Sequence, residues 1–326
     1  MNQTRVHLIS LFLLLFLTAC WHPDREAADP GAPVFEIAFM PDVHFHDLFA
    51  EFETGSFEGL PVSYRGEEKQ AVIRTMEAQL NSTRLFNENY FAFLAALDDI
   101  TERGIKYVAL PGDFSDDGQP AHIRGLAAIL NEYRKKHGIN FFLTPGNHDP
   151  VRPYSTEAGK RDYLGEGGRR QPVFSRNHSE CLKADQAKES DDAGNIIPIS
   201  HSVACTDEVK EMGYSVLYEM LGGFGLTHQE PYLHYETPFS GSYNADNSLF
   251  MPENRRYEVC HEGSGSEHRE THFTNCIDVP DMSYLAEPVK DVWLLALDTN
   301  VYVPRADVDQ GASENGEQFH GSGNAG

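Results

Sequence analysis

The chain has 326 residues, enough for one large domain or a domain carrying an insertion. A 40% share of hydrophobic residues allows an ordinary buried core. The net charge of −24 argues against nucleic-acid binding, which needs basic surface, and it opposes anionic substrates at long range unless bound cations reverse the local sign.

In chain order, residues 1–19 read as an export signal. Arg5 gives a basic start, Leu8 to Leu17 is almost wholly apolar, and the run is too short to span a membrane. Leu17-Thr18-Ala19-Cys20 resembles a bacterial lipoprotein lipobox, which implies cleavage before Cys20 to leave it as a lipidated N-terminus. Acyl chains contribute about 0.8 kcal/mol per buried methylene, so a multiply acylated Cys20 anchors the protein to a membrane. Trp21 rather than Asp follows, which by that resemblance implies the outer membrane, facing the periplasm. Residues 20–33, rich in Pro, Ala and acidic residues, read as a tether.

The stretch 34–150 alternates strands and helices. Phe35 to Met40 is a first apolar run and ends in Asp42-Val43-His44. His46 to Thr83 reads as a surface loop with a short helix within Glu67 to Gln79, and His46 and Asp47 as supporting or solvated residues. Leu85, Phe86, Tyr90, Phe91, Phe93, Leu94, Leu97 and Ile100 recur at helical spacing until Gly104. Lys106 to Leu110 is a strand emptying into Gly112-Asp113-Phe114-Ser115-Asp116-Asp117-Gly118. Pro120 opens a helix with Ile123, Leu126, Ala127, Leu130 and Tyr133 on one face, basic residues in its last turn and Gly138 as its stop. Asn140 to Thr144 is a third strand, ending in Gly146-Asn147-His148-Asp149. Strand–helix–strand–helix–strand predicts a parallel α/β unit, whose functional loops lie beyond the carboxyl ends of its strands.

Residues 151–284 are polar, broken by Gly and Pro, and carry Cys181, Cys205, Cys260 and Cys276. This stretch reads as an insertion or cap over the site. An even number of cysteines in an exported chain predicts two disulfides among three possible connectivities. The pairs nearest in sequence, Cys181–Cys205 and Cys260–Cys276, are preferred over a Cys-rich metal site, since no Cys-x-x-Cys occurs. From 285 the chain regains strand character, Val292 to Leu297 running into Asp298-Thr299-Asn300.

Three polar motifs on three strand ends bring carboxylate, imidazole and amide oxygen together, a donor set for divalent Zn, Mn or Fe. Asp-x-His, Gly-Asp-x-x-Asp and Gly-Asn-His-Asp resemble the calcineurin-like metallophosphoesterase superfamily. The resemblance implies an α/β fold in four layers, a β-sandwich flanked by helices, with residues 285–326 beginning its return strand. It implies a phosphate mono- or diester as substrate and two divalent ions with a bridging hydroxide as nucleophile. Asp42 and His44 would bind the first ion, Asp113 would bridge both, and Asn147 would bind the second. His148 would protonate or stabilise the leaving group, and Asp116 would orient it. Asp117 stands where protein phosphatases of the superfamily carry a phosphate-gripping Arg, which points to small phosphoesters instead. The later histidine motifs of the family, Gly-His-x-His among them, do not occur in this sequence. His178, His201, His228, His234, His261, His268, His272 and His320 stand in polar surroundings. The chain is therefore expected to be a fragment lacking the C-terminal part of the core, with up to three ligands missing. The alternative is a surface lipoprotein that keeps the fold for binding without catalysis.

Overall fold

The structure, a computed structural model, describes residues 35–82, 84–183, 189–190, 196–197, 203–240, 254–260, 276–304 and 319–322. The expected signal, the tether, Cys20 and the Gly-rich run from Gly311 lie outside these but for the short strand Phe319–Ser322.

Three strands form the central sheet: β1 (Ile37–Phe39), β4 (Tyr107–Pro111) and β5 (Asn140–Thr144), in the order β1-β4-β5. Every pairing is parallel, with Ile37 opposite Tyr107 and Tyr107 opposite Asn140. Parallel strands end on the same edge, so all three polar motifs leave the sheet side by side. Between β1 and β4 lies a hairpin of β2 (Leu60–Tyr64) and β3 (Glu67–Ala71), turned at Arg65 and Gly66, both at positive φ. The helix expected within Glu67 to Gln79 is confined to α1 (Met76–Leu80), capped by the Thr75 hydroxyl. Glu67 to Gln70 are helix formers by propensity, but pairing with β2 overrides that preference.

The helices are those the apolar spacing predicts. In α2 (Phe86–Glu102), Phe86, Phe93, Leu97 and Ile100 are buried, whereas Leu85 and Phe91 from the expected stripe are exposed. In α3 (Pro120–His137), Pro120 starts the helix and Gly138 ends it in the left-handed conformation. Ile123, Leu126 and Leu130 from α3 join Leu97 and Ile100 against Val108, Leu110, Phe141 and Leu143 of the sheet.

The stretch expected as an insertion contributes to this same core. Helix α4 (Tyr214–Leu221) and the wide turn Gly222–Leu226 bury Tyr214, Leu217 and Phe224 with the β5 side chains. A second sheet contains β9 (His234–Glu236), β12 (Tyr284–Val289) and β13 (Val292–Ala296), all antiparallel. Tyr232 stacks on Phe142 at 5.7 Å, and the Tyr284 hydroxyl donates to the Leu143 carbonyl at 3.0 Å. The return strand is thus one arm of a hairpin, and among the described residues it pairs with β12 alone. A third sheet joins β6 (Gly159–Leu164), β7 (Arg170–Phe174) and β8 (Ala204–Cys205). Antiparallel β10 (Arg256–Cys260) and β11 (Cys276–Pro280) follow β9 in the chain and precede β12. Cys181 and Cys205 form a disulfide with Cα atoms 5.9 Å apart. Cys276 is also disulfide-bonded, and Cys260 is its partner in strand register.

Candidate metal centre

Beyond β1 and β4 the two chains stay paired after regular strand geometry ends. The amides of Asp42, His44 and Phe45 donate to the carbonyls of Gly112, Asp113 and Phe114 at 3.1, 2.7 and 3.0 Å. Asp42, His44 and Asp113 all have positive φ, between 44° and 52°, so left-handed backbone turns both loops back over the sheet edge. Such conformations are costly for residues with a Cβ and persist where surrounding contacts over-determine them. Here the determinants are visible. Phe45 is fully buried against Phe93, 5.4 Å between ring centroids, and the Asn89 amide on α2 donates to the carbonyls of Val43 and His44 at 3.2 and 3.3 Å.

The ligand atoms of Asp42, His44 and Asp113 consequently lie within 4.8 Å of one another. His44 Nε2 is 3.7 Å from Asp113 Oδ2, and its Nδ1 is buried with no hydrogen-bond partner among the described residues. Burial lowers the His44 pKa, with the Asp113 charge opposing, which favours the neutral imidazole that ligates metals. Two carboxylates and a neutral imidazole, open to solvent at Asp42, fit a divalent ion.

The third motif is fastened to the second by a buried carboxylate. Asp149, fully buried, accepts from the Ser115 amide and hydroxyl at 2.8 and 2.9 Å and from the Gly146 amide at 2.7 Å. Burial pushes its pKa up to about 8, the Gly146 and Ser115 donors opposing and the Asp113 charge reinforcing. Gly118, at φ 58°, packs so closely that a Cβ there would lie 1.8 Å from the Asp149 carbonyl oxygen. The His148 amide donates to Asp113 Oδ1 at 2.8 Å, which brings the loop carrying Asn147 to the Asp113 carboxylate.

The His148 ring stands edge-on to that of His44, centroids 5.0 Å apart. Its Nδ1 lies 2.7 Å from Asp117 Oδ1, so Nδ1–H donates to the carboxylate and that bond raises the His148 pKa. The resemblance expects this contact from Asp116; in the structure the carboxylate that meets His148 is that of the next residue. Asp117 has a positive φ of 65°, and the left-handed turn carries its carboxylate, not its neighbour's, to the imidazole. Burial disfavours the Asp117 anion, but the Lys160 ammonium and the hydrogen bonds from His148 and Lys160 outweigh it and hold its pKa well below the usual range. Asp116, 1% exposed, is bound by Arg74 at 3.1 Å and by Arg84, and Arg74 also grips Asp162 at 3.1 and 2.6 Å. Burial of these carboxylates is tolerable because each is paired.

Arg74, Arg84, Lys160 and Asp162 were not among the sequence candidates. Only the alternation of Lys160 and Asp162 on β6 hints that both face the same way. His46 and Asp47 are not solvated: both are buried, with His46 Nε2 2.8 Å from the Val72 carbonyl and the Asp47 amide donating to His122 at 3.0 Å. Of the remaining histidines, His178 caps a short helix and His234 faces Glu236; His201, His261, His268 and His272 lie outside the described residues.

A model of the calcineurin-like phosphoesterase family matches residues 35–294, from the first strand to the hairpin of the second sheet. No curated protein matches the chain.

Proposed function

Because the chain belongs to the calcineurin-like phosphoesterase family, we propose that it is a metal-dependent hydrolase of small phosphate esters, working with two divalent ions. One observation carries the reading: three parallel strands deliver their polar ends to one edge, with Asp42, His44 and Asp113 within ligand distance of one another. Asp42 and His44 would hold one ion, Asp113 would serve both, and Asn147 would be a ligand of the other. When bound, such ions supply an activated water and neutralise charge on the phosphoryl group. The chain's own groups do the rest. His148, whose hold on its proton is strengthened by the hydrogen bond to Asp117, gives that proton to the leaving oxygen or stabilises the charge there. Lys160 secures Asp117, and the Asp149 latch fixes the distance between the second and third loops.

The test is hydrolysis of an aryl phosphate mono- and diester with Mn²⁺, comparing the protein with Asp113→Asn. Substantial turnover lost in the variant supports the reading, and equal rates sink it. Membrane attachment through Cys20 is a separate proposal from the lipobox resemblance. Cys20→Ser should move the protein from membrane to soluble fractions, and unchanged retention would refute it.

A further inference from the structure

Arg84 stands just before α2, its side chain 19% exposed. Through Nη1 it is anchored to the buried Asp116, and the same nitrogen lies 3.4 Å from His148 Nδ1 and 3.8 Å from Asp117 Oδ1. The Phe86 ring supports the guanidinium at 5.0 Å. Among the described residues, Nε and Nη2 have no hydrogen-bond partner. A guanidinium carries five N–H donors in a rigid plane, so fixing one corner fixes the direction of the others. Arg74 already binds Asp116, so that carboxylate is paired without Arg84. What Arg84 adds is a half-buried guanidinium held beside the His148 imidazole, with donors not used by Asp116. The complement of such donors is an oxyanion with more than one oxygen.

We propose that Arg84 binds a non-bridging oxygen of the substrate's phosphoryl group and selects phosphate monoesters over diesters; this rests on the phosphoesterase reading above. A monoester presents one more non-bridging oxygen and one more negative charge than a diester. Arg84 meets that extra oxygen, which a diester replaces with an ester group.

The test uses Arg84→Lys and Arg84→Gln in the manganese-loaded full chain. A lysine at this position keeps an ion pair with Asp116 but loses the fork, so folding is retained, and thermal midpoints of both variants check this. Inorganic phosphate is titrated calorimetrically, and turnover is followed on an aryl phosphate monoester and a bis-aryl diester. Phosphate affinity should fall roughly ten- to a hundred-fold, the loss of a charge-assisted hydrogen bond. The monoester kcat/KM should fall with it, and the diester's by clearly less. Unchanged phosphate affinity, or equal losses on the two esters, overturns the proposal. Failure of the phosphoesterase reading would look different: wild-type protein turns over neither ester, while phosphate binding still decides the role of Arg84.

Discussion

Gly118→Ala tests the contact between the second and third loops. Both this position and Gly66, in the β2–β3 turn, have positive φ, 58° and 82°. At Gly66 a Cβ would meet nothing within 4 Å; at Gly118 it would lie 1.8 Å from the backbone oxygen of Asp149. Left-handed backbone costs a residue with a Cβ about 1–2 kcal/mol, and Gly66→Ala should cost that alone. At Gly118 the loops must also move apart, adding about 1–3 kcal/mol for forced overpacking. The expected total of about 2–5 kcal/mol is a large share of the roughly 5–15 kcal/mol that holds a typical domain. Urea unfolding followed by far-ultraviolet circular dichroism gives both values. Rates on the aryl phosphate, read well below the unfolding midpoint, should drop for Gly118→Ala beyond any loss of folded protein, because the bond between Asp117 and His148 spans the displaced loops. Equal costs at the two glycines, or a folded Gly118→Ala with wild-type rates, would refute the account.

Asp117→Asn should move the alkaline fall of the pH–rate profile to lower pH. The folded pKa of His148 is raised by Asp117, and a general acid loses activity as pH climbs through its pKa. Asp116→Asn should leave that limb in place and instead destabilise by about 3 kcal/mol, as Arg74 and Arg84 lose a buried anion. The pKa of Asp47 is raised from 3.8 to about 6, chiefly by burial, so the folded state retains a proton that the unfolded chain releases. Its contribution is therefore full below pH 3.8 and lost as pH rises through 6; Asp47→Asn should recover about 3 kcal/mol at neutral pH in denaturant titrations. Asn89→Ala should weaken metal binding about ten-fold or more in chelator competition, since the carbonyls it holds belong to the loop of Asp42 and His44.

The three motifs were legible because each follows a strong apolar run and each run is a strand of one parallel sheet. Both long helices announced themselves through spacing and through Pro120 and Gly138. The β2–β3 hairpin was hidden by Glu67, Glu68, Lys69 and Gln70, whose helical propensity says nothing of the partner strand that captures them. That Asp117 rather than Asp116 reaches His148 could not be read from spacing, because it turns on one left-handed φ. Arg74, Arg84 and Lys160 were out of reach for another reason. Arg74 and Asp162 are 88 positions apart, and nothing local marks charged residues destined to meet across a fold.

The frame of the metal centre is built from protein groups alone: backbone pairing of the first two loops, the Asp149 carboxylate between the second and third, and the Asn89 amide behind the first. In a zinc finger the metal is the core, and the apo chain is unfolded. Such a frame predicts that folding and metal loading are separable events. Chelation should leave a folded, empty vessel, and the ion that fills it is set by what the finished protein encounters as much as by ligand preference. The identity of the metal then belongs as much to the protein's surroundings as to its sequence.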